Sequence, residues 1–269
     1  MIDLHSHILF GLDDGADTLD TSVEMARMAV ADGVTHMACT PHVLPGRYPN
    51  SSATILPAVA AFQSVLQACG IPLTLVPGAD VHIAWDLPAK LAKNEIPTLN
   101  RTRYFLLEPP HQFLPPRLED LVRRLLRCGF IPIITHPERL GWITRHYDIV
   151  RRLNAIGCPL QITADSLLGR FGSEAKEAAI RILDDGLDCF VASDAHGTGR
   201  RNPVMSHAMR IVAERWGEDA ADNMFVTIPG IILANGDLPI SPEKRELRRP
   251  VRPHREGMKK LVELLRAGH

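Results

Sequence analysis

The sequence predicts an α/β protein in which seven parallel strands, each followed by a helix, close into a distorted barrel. Three observations predict it. Short apolar runs recur along the chain, each trailed by a stretch of helical period. The runs are nearly continuous in apolar residues, the pattern of parallel strands buried on both faces. Six of the seven also end in a metal-capable His, Asp or Glu, at the rim where a parallel barrel builds its site.

The strands are expected at Ile2–His7, Thr35–His42, Leu73–His82, Tyr104–Pro109, Ile131–His136, Leu160–Ala164 and Cys189–His196. Thr21–Ala31 places Val23, Met25, Ala26, Ala29 and Val30 mostly on one face, behind a cap at Asp20 or Thr21. Leu118–Cys128, Tyr147–Ile156 and Glu174–Leu183 read as helices in the same way. Gly33, Gly70, Gly129, Gly157 and Gly186 fall where a helix would end in a left-handed turn. An open doubly wound sheet is the rival, but it would place its site at one switch point instead of at every strand end.

A chain of 269 residues suits a single α/β unit of this kind. It can bury a large core, so a bound metal serves chemistry more readily than folding. A net charge of −1 gives no overall attraction to nucleic acid or anionic membrane. The organisation expected is a barrel over 1–237 and a basic tail over 238–269. That tail carries Lys244, Arg245, Arg248, Arg249, Arg252, Arg255, Lys259 and Lys260, interrupted by Pro250 and Pro253, with a terminal helix at Met258–Arg266. Cys39, Cys69, Cys128, Cys158 and Cys189 are scattered and form no C-x-x-C pair, which fits a reducing compartment. None is followed six residues later by Arg, so the nucleophilic loop of Cys-dependent tyrosine phosphatases is missing. Asp3 and His5 stand where a signal peptide would be, and no apolar stretch is long enough to span a bilayer. A cytoplasmic protein is expected.

The chemistry lies in the strand ends. The first strand ends in Asp3-Leu4-His5-Ser6-His7, and two His two residues apart share one face of a strand. The next ends are Thr40-Pro41-His42, Gly78-Ala79-Asp80, Leu107-Glu108-Pro109 and Thr135-His136-Pro137-Glu138-Arg139. The last is Ser193-Asp194-Ala195-His196, and Asp13-Asp14-Gly15 lies in the loop after the first strand. His and carboxylate without thiolate suit manganese, zinc or iron. The number of donors exceeds what one ion needs, so a multinuclear centre is expected, suited to in-line phosphoryl displacement. Arg139, Arg200 and Arg201 follow ligand-bearing strands and fit bidentate capture of phosphate oxygens. Arg47 and Tyr48, in the loop after His42, reach toward the same mouth.

These motifs, together with Ile96-Pro97-Thr98-Leu99, resemble the PHP-type protein-tyrosine phosphatases of capsule and exopolysaccharide biosynthesis. The resemblance runs from Met1 to about Asp237 and keeps motif order and spacing. It implies the PHP fold, a distorted seven-stranded TIM-like barrel holding up to three manganese ions. By position, His5, His7 and Asp194 would hold the first ion, with a bridging acid at Asp80. Asp80, Glu108 and His136 would hold the second, and Asp14, His42 and His196 the third. Arg139 and Arg201 would bind the phosphate while a metal-activated hydroxide attacks it. The implied substrate is a tyrosine-phosphorylated protein, a bacterial tyrosine autokinase controlling polysaccharide synthesis. Asp80 departs from the family pattern, which carries Glu there. The stretches Gln161-Ile162-Thr163-Ala164 and Gly169-Arg170-Phe171-Gly172 are similar to a proteobacterial branch.

Two other enzymes fit part of the pattern. One is a PHP phosphoesterase acting on a small phosphomonoester such as histidinol phosphate. The other is a metal-dependent amidohydrolase, whose bridging Lys has no counterpart at the strand ends here. A metal-loaded module that only binds phosphorylated partners is the non-enzymatic alternative.

Overall fold

The structure, a computed structural model, describes residues 1–238. The described strands are β1 (Ile2–Ser6), β2 (His36–Cys39), β3 (His42–Val43), β4 (Thr74–Pro77), β5 (Asp80–His82), β6 (Tyr104–Glu108), β7 (Ile131–Thr135), β8 (Leu160–Thr163) and β9 (Cys189–Ala192). They form two parallel sheets, ordered β1-β2-β4 and β3-β5-β6-β7-β8-β9. The α/β class with parallel strands is as expected, but the strands do not join in one closed seven-stranded ladder.

The difference has a local cause. Two expected strands are each broken in two. The second breaks at Thr40-Pro41, where Pro41 has no N–H for the ladder. The third breaks at Gly78-Ala79. A Cβ at Gly78 would sit 2.8 Å from Leu99 Cδ2 and 2.9 Å from Thr40 Cγ2, so only glycine permits this close approach. At the C-terminal ends of β1 and β9, Asp194 N–H donates to the His5 carbonyl and His7 N–H to the Ala195 carbonyl, both at 2.8 Å.

Helices Leu19–Ala31, Leu118–Arg127, Ile143–Ala155 and Ser173–Asp184 match the four read from the sequence, with shifted ends. The first cap is a correction: Thr18, not Asp20 or Thr21, is extended and accepts from Thr21 N–H at 3.1 Å. Asp20 lies in the first turn instead, where its charge faces the positive helix end. All five helix-terminating glycines adopt positive φ. Helices Ser52–Ala68 and Ser206–Trp216 add to the expected set, and Ser52–Ala68 holds Pro57 in its interior. The tail and the helix expected at Met258–Arg266 lie outside the described residues.

A compact inner cluster explains why the polar groups gather at one end. Leu4, Ala38, Val76, Tyr104, Leu106, Ile133, Phe190 and Ala192 pack together from six strands. On β6, Tyr104 and Leu106 belong to this cluster, and Glu108 is the next residue on the same face. The apolar residues thus plug the base of the strands and leave the carboxylate at their C-terminal end. Among the described residues no helix is long and apolar enough to cross a membrane.

Candidate metal centre

Each donor is placed by its strand. The β1–β2 register shifts between Asp3 and Ser6, a local re-aiming of the chain that brings His5 and His7 to the centre. Along the second sheet, His42 pairs in register with Asp80, and His82 with Glu108. His136 and Asp194 follow β7 and β9 with positive φ values of 30° and 51°. Left-handed backbone at non-glycine residues costs about 1–3 kcal/mol and clusters at functional sites. Here it falls on two predicted ligands.

The nine predicted donors come together. His5, His7 and Asp80 form one group, and His7, Asp14, His42 and His196 another, with donor atoms in each group within 4.8 Å of one another. Glu108 and His136 group with His111, and His42 and Glu108 group with His82. Asp194 Oδ1 lies 3.4 Å from His5 Nε2 and 3.3 Å from His7 Nε2. His42 Nδ1 is 3.3 Å from both Asp80 Oδ2 and Glu108 Oε2. Asp14 is the exposed member; His5, His7, Asp80, Glu108, His136 and Asp194 are buried.

Several residues around these donors were not singled out by the sequence. Asp13 accepts from His7 Nδ1 at 2.6 Å and from His42 N–H at 2.8 Å. Gln161 Oε1 stands 2.9 Å from His5 Nδ1 and accepts from His136 N–H at 3.2 Å. Asp3 accepts from both the backbone and the hydroxyl of Ser193, and burial pushes its carboxyl up to about 6. Glu138, read as part of a motif, accepts from Thr163 N–H and Ser166 Oγ. His82 and His111 were also missed. Their signals were present, His82 two residues past Asp80 and His111 three past Glu108.

The electrostatics favour a cation. Burial opposes ionisation of Asp80, Glu108 and Asp194, but the surrounding imidazoles outweigh it, with Arg139 also acting on Asp194, and hold all three carboxyls below the usual range. Burial and the Arg139 charge push His136 well down, and burial and His7 push His196 down, so both keep a free lone pair. Against burial, Asp13 raises His7 to about 9. Both Asp80 oxygens, Glu108 Oε2, His42 Nδ1, His136 Nδ1 and His196 Nε2 are buried without a hydrogen-bond partner. Leaving a buried polar atom unpaired costs about 1–3 kcal/mol. Six such atoms in one cluster of ionised carboxylates and imidazoles fit divalent cations in both number and chemistry.

The arginines close one side. Arg139 Nη1 and Arg201 Nη2 both pair with Asp194 Oδ2, the second at 2.7 Å. Their guanidinium carbons lie 4.2 and 5.9 Å from the Phe171 ring centre. Beside Arg139 is a cavity of about 300 Å³ lined in part by His111, Leu140, Ile143 and Phe171. Tyr48 stacks on His42 with ring centres 5.7 Å apart, and the Arg47 guanidinium lies over the Tyr48 ring at 5.0 Å.

Parallel strands that deliver imidazoles, carboxylates and two guanidiniums to one end define a protein of α/β architecture built to hold divalent metal beside an anion site. The chain belongs to the CpsB/CapC family of capsular polysaccharide synthesis, whose model matches residues 1–234. It is 37% identical over 219 residues to the tyrosine-protein phosphatase YwqE of Bacillus subtilis, covering 81% of this chain and 86% of that protein. It is 33% identical over 201 residues to the putative tyrosine-protein phosphatase CapC of Staphylococcus aureus, covering 75% and 79% of the two chains. A solved structure described for YwqE from B. subtilis and CpsB from Streptococcus pneumoniae, unique metal-dependent tyrosine phosphatases, superposes with a TM-score of 0.86 at 35% identity, over 90% of this chain and 98% of that one. The lactonase Lmo2620 of Listeria monocytogenes, at 13% identity and a TM-score of 0.56 over 88% of this chain and 95% of its own, shares the fold alone.

Proposed function

We propose that this chain is a metal-dependent protein-tyrosine phosphatase acting on a tyrosine-phosphorylated protein. The observation that carries the proposal is the meeting of Arg139 and Arg201 on Asp194, at the edge of a buried centre of imidazoles and carboxylates. In this reading the two sheets are a distorted seven-stranded barrel, with β2/β3 and β4/β5 each one interrupted strand. Residues 1–237 are the catalytic unit, and the basic sequence of 238–269 is assigned no part in it.

His5, His7 and Asp194 would hold one divalent ion and share Asp80 with a second, which Glu108 and His136 would complete. Asp14, His42 and His196 would hold a third. Manganese is the ion proposed, and zinc or iron also suit the donor set. Bound there, such ions supply Lewis acidity toward a phosphoryl oxygen and lower the pKa of water.

The protein's own groups do the positioning. Asp13 and Gln161 hold His7 and His5 through Nδ1, which leaves each Nε2 facing the carboxylates. Arg139 and Arg201 are anchored through one carboxylate oxygen, Arg139 Nη1 also donating to Thr163 Oγ1 at 3.5 Å, and their other N–H groups would bind phosphate oxygens in the bidentate manner of guanidinium. Arg201 Nε, buried and without a partner, is one such donor. Leu140, Ile143 and Phe171 give the adjoining cavity an apolar wall suited to the phenol ring. Arg47 and Tyr48 would meet the polypeptide around the phosphotyrosine. The family and its phosphatase relatives support a tyrosine autokinase of capsule or exopolysaccharide synthesis as the substrate. Five scattered cysteines with no C-x-x-C pair support a cytoplasmic site of action.

The test is phosphate release from a phosphotyrosine peptide by metal-stripped protein, with and without manganese, and with His136→Ala as control. Metal-dependent turnover that disappears in the variant is expected. Faster release from histidinol phosphate than from the peptide would replace the protein-phosphatase reading with the small-ester one.

A further inference from the structure

Glu108 is surrounded by more imidazole than its proposed role uses. His82 Nε2 lies 2.5 Å from Oε2 and His111 Nε2 lies 3.2 Å from Oε1. His136 Nε2 stands 3.7 Å from Oε1, and His42 Nδ1 3.3 Å from Oε2. Four imidazoles thus converge on one carboxylate, and donor atoms of His and Glu packed this closely are an arrangement that holds a cation.

The placement of the two extra rings is built into the fold. His82 is the register partner of Glu108 on the neighbouring strand, and it shares a strand face with Asp80. Its ring lies 5.3 Å from that of His42. His111 follows Glu108 on the next loop, with its ring 5.0 Å from that of His136. Each joins Glu108 in a three-residue group whose donor atoms all lie within 4.8 Å of one another. Among the described residues His42 also faces Asp80 at 3.3 Å and Asp14 at 3.5 Å, whereas His82, His111 and His136 form ion pairs with Glu108 alone.

We propose that His82 and His111 are metal ligands, adding two imidazole nitrogens around Glu108 and giving this face of the centre a preference for zinc over manganese. The preference follows from donor chemistry: imidazole suits zinc, whereas carboxylate and water suit manganese. The inference rests on the reading of Glu108 as a metal ligand, and the experiment separates the two. Zinc and manganese affinities are measured on the full chain by competition with a chromogenic chelator. Stoichiometry is read by mass spectrometry, and the visible spectrum is recorded after loading with cobalt(II). The proteins are wild type, His82→Gln, His111→Gln and the double variant, whose amides keep the volume and a hydrogen bond to Glu108.

The double variant is expected to bind zinc at least about tenfold more weakly, to bind manganese nearly as wild type does, and to shift the cobalt d–d bands. Equal weakening for both ions with unchanged cobalt bands would make the two histidines hydrogen-bond partners of Glu108 and overturn the inference. So would unchanged zinc affinity. A wild-type protein that binds no divalent ion would remove the metal reading itself, and this inference with it.

Discussion

Gln161 and His5, far apart in sequence, meet in the buried centre, with Gln161 Oε1 2.9 Å from His5 Nδ1. The same oxygen accepts from His136 N–H at 3.2 Å, so one amide holds a proposed ligand from β1 and another from the end of β7. Replacing it with Leu keeps the bulk and removes the acceptor. Gln161→Leu is expected to weaken metal binding by about 10–100-fold, the usual cost of losing an outer partner of a ligating His. Gln161→Glu, which keeps an acceptor, is expected to lose less. A chelator-competition titration of both variants checks this, and equal affinities for wild type and Leu would show that the amide orients nothing.

Arg139 and Arg201 converge on a single oxygen of Asp194, so their geometry depends on the fork of the guanidinium. Arg201→Lys keeps the charge and loses the second donor. We expect kcat/KM for a phosphotyrosine peptide to fall by about 10²–10³-fold, the range for removing one preorganised donor from a developing oxyanion. Steady-state kinetics and metal analysis of the same sample provide the check. Normal metal content with lowered activity would locate the loss at the phosphate; normal kinetics would take Arg201 out of the site.

The parts of this fold legible in the sequence are those set by periodicity and by strand ends. β6 and β7 begin where their apolar runs begin, and Glu108 and His136 stand at or just past their ends. Much of what escaped has long-range causes. The break at Gly78 goes with its close approach to Thr40 and Leu99, which local pattern does not encode, whereas the break at Pro41 has a local signal in the missing N–H. Gln161 was visible only as part of a motif, because its role depends on β8 lying beside β7. Helix Ser52–Ala68 contains Pro57, which on local grounds argues for a break.

Gly15 makes a prediction about the Asp13-Asp14-Gly15 loop. A Cβ at this position would lie 2.1 Å from the His7 carbonyl oxygen and 2.5 Å from His7 Cβ, so the loop cannot accept alanine without moving. Asp13, which supports His7 and His42, would move with it. Gly15→Ala is expected to destabilise the protein by about 1–3 kcal/mol, as overpacking does, and to weaken binding of the ion proposed at Asp14. Thermal melts of stripped and loaded protein measure both effects. An unshifted melting temperature would mean that the loop is not packed against His7 in solution.

The cysteines separate into two classes. Cys69 and Cys128 are exposed at the ends of helices Ser52–Ala68 and Leu118–Arg127, whereas Cys39, Cys158 and Cys189 are buried. Burial alone pushes the Cys39 thiol far up, so raising the pH to 9 should not activate it. Native protein is expected to react with iodoacetamide at Cys69 and Cys128 only, and at all five after unfolding. Peptide mapping by mass spectrometry reads the outcome, and native labelling of Cys39 would contradict the packing of β2.

Metal removal should be visible in stability as well as in activity. Without a cation, Asp80 and Glu108 remain buried and ionised against imidazoles, and Asp80 Oδ1 has no hydrogen-bond partner. An ion that binds only the folded state adds RT ln(1 + [L]/Kd), about 2.7 kcal/mol at one hundred times Kd. For a chain of this size each kcal/mol raises the melting temperature by about 2–4 °C. Adding manganese to stripped protein should therefore raise the melting temperature by several degrees, increasing with metal concentration. His136→Ala should reduce that rise more than it lowers the melting temperature of the stripped protein, because the side chain it removes has a buried nitrogen with no hydrogen-bond partner. A concentration-independent melting temperature in wild type would show that these orphaned groups are satisfied by something other than a divalent ion.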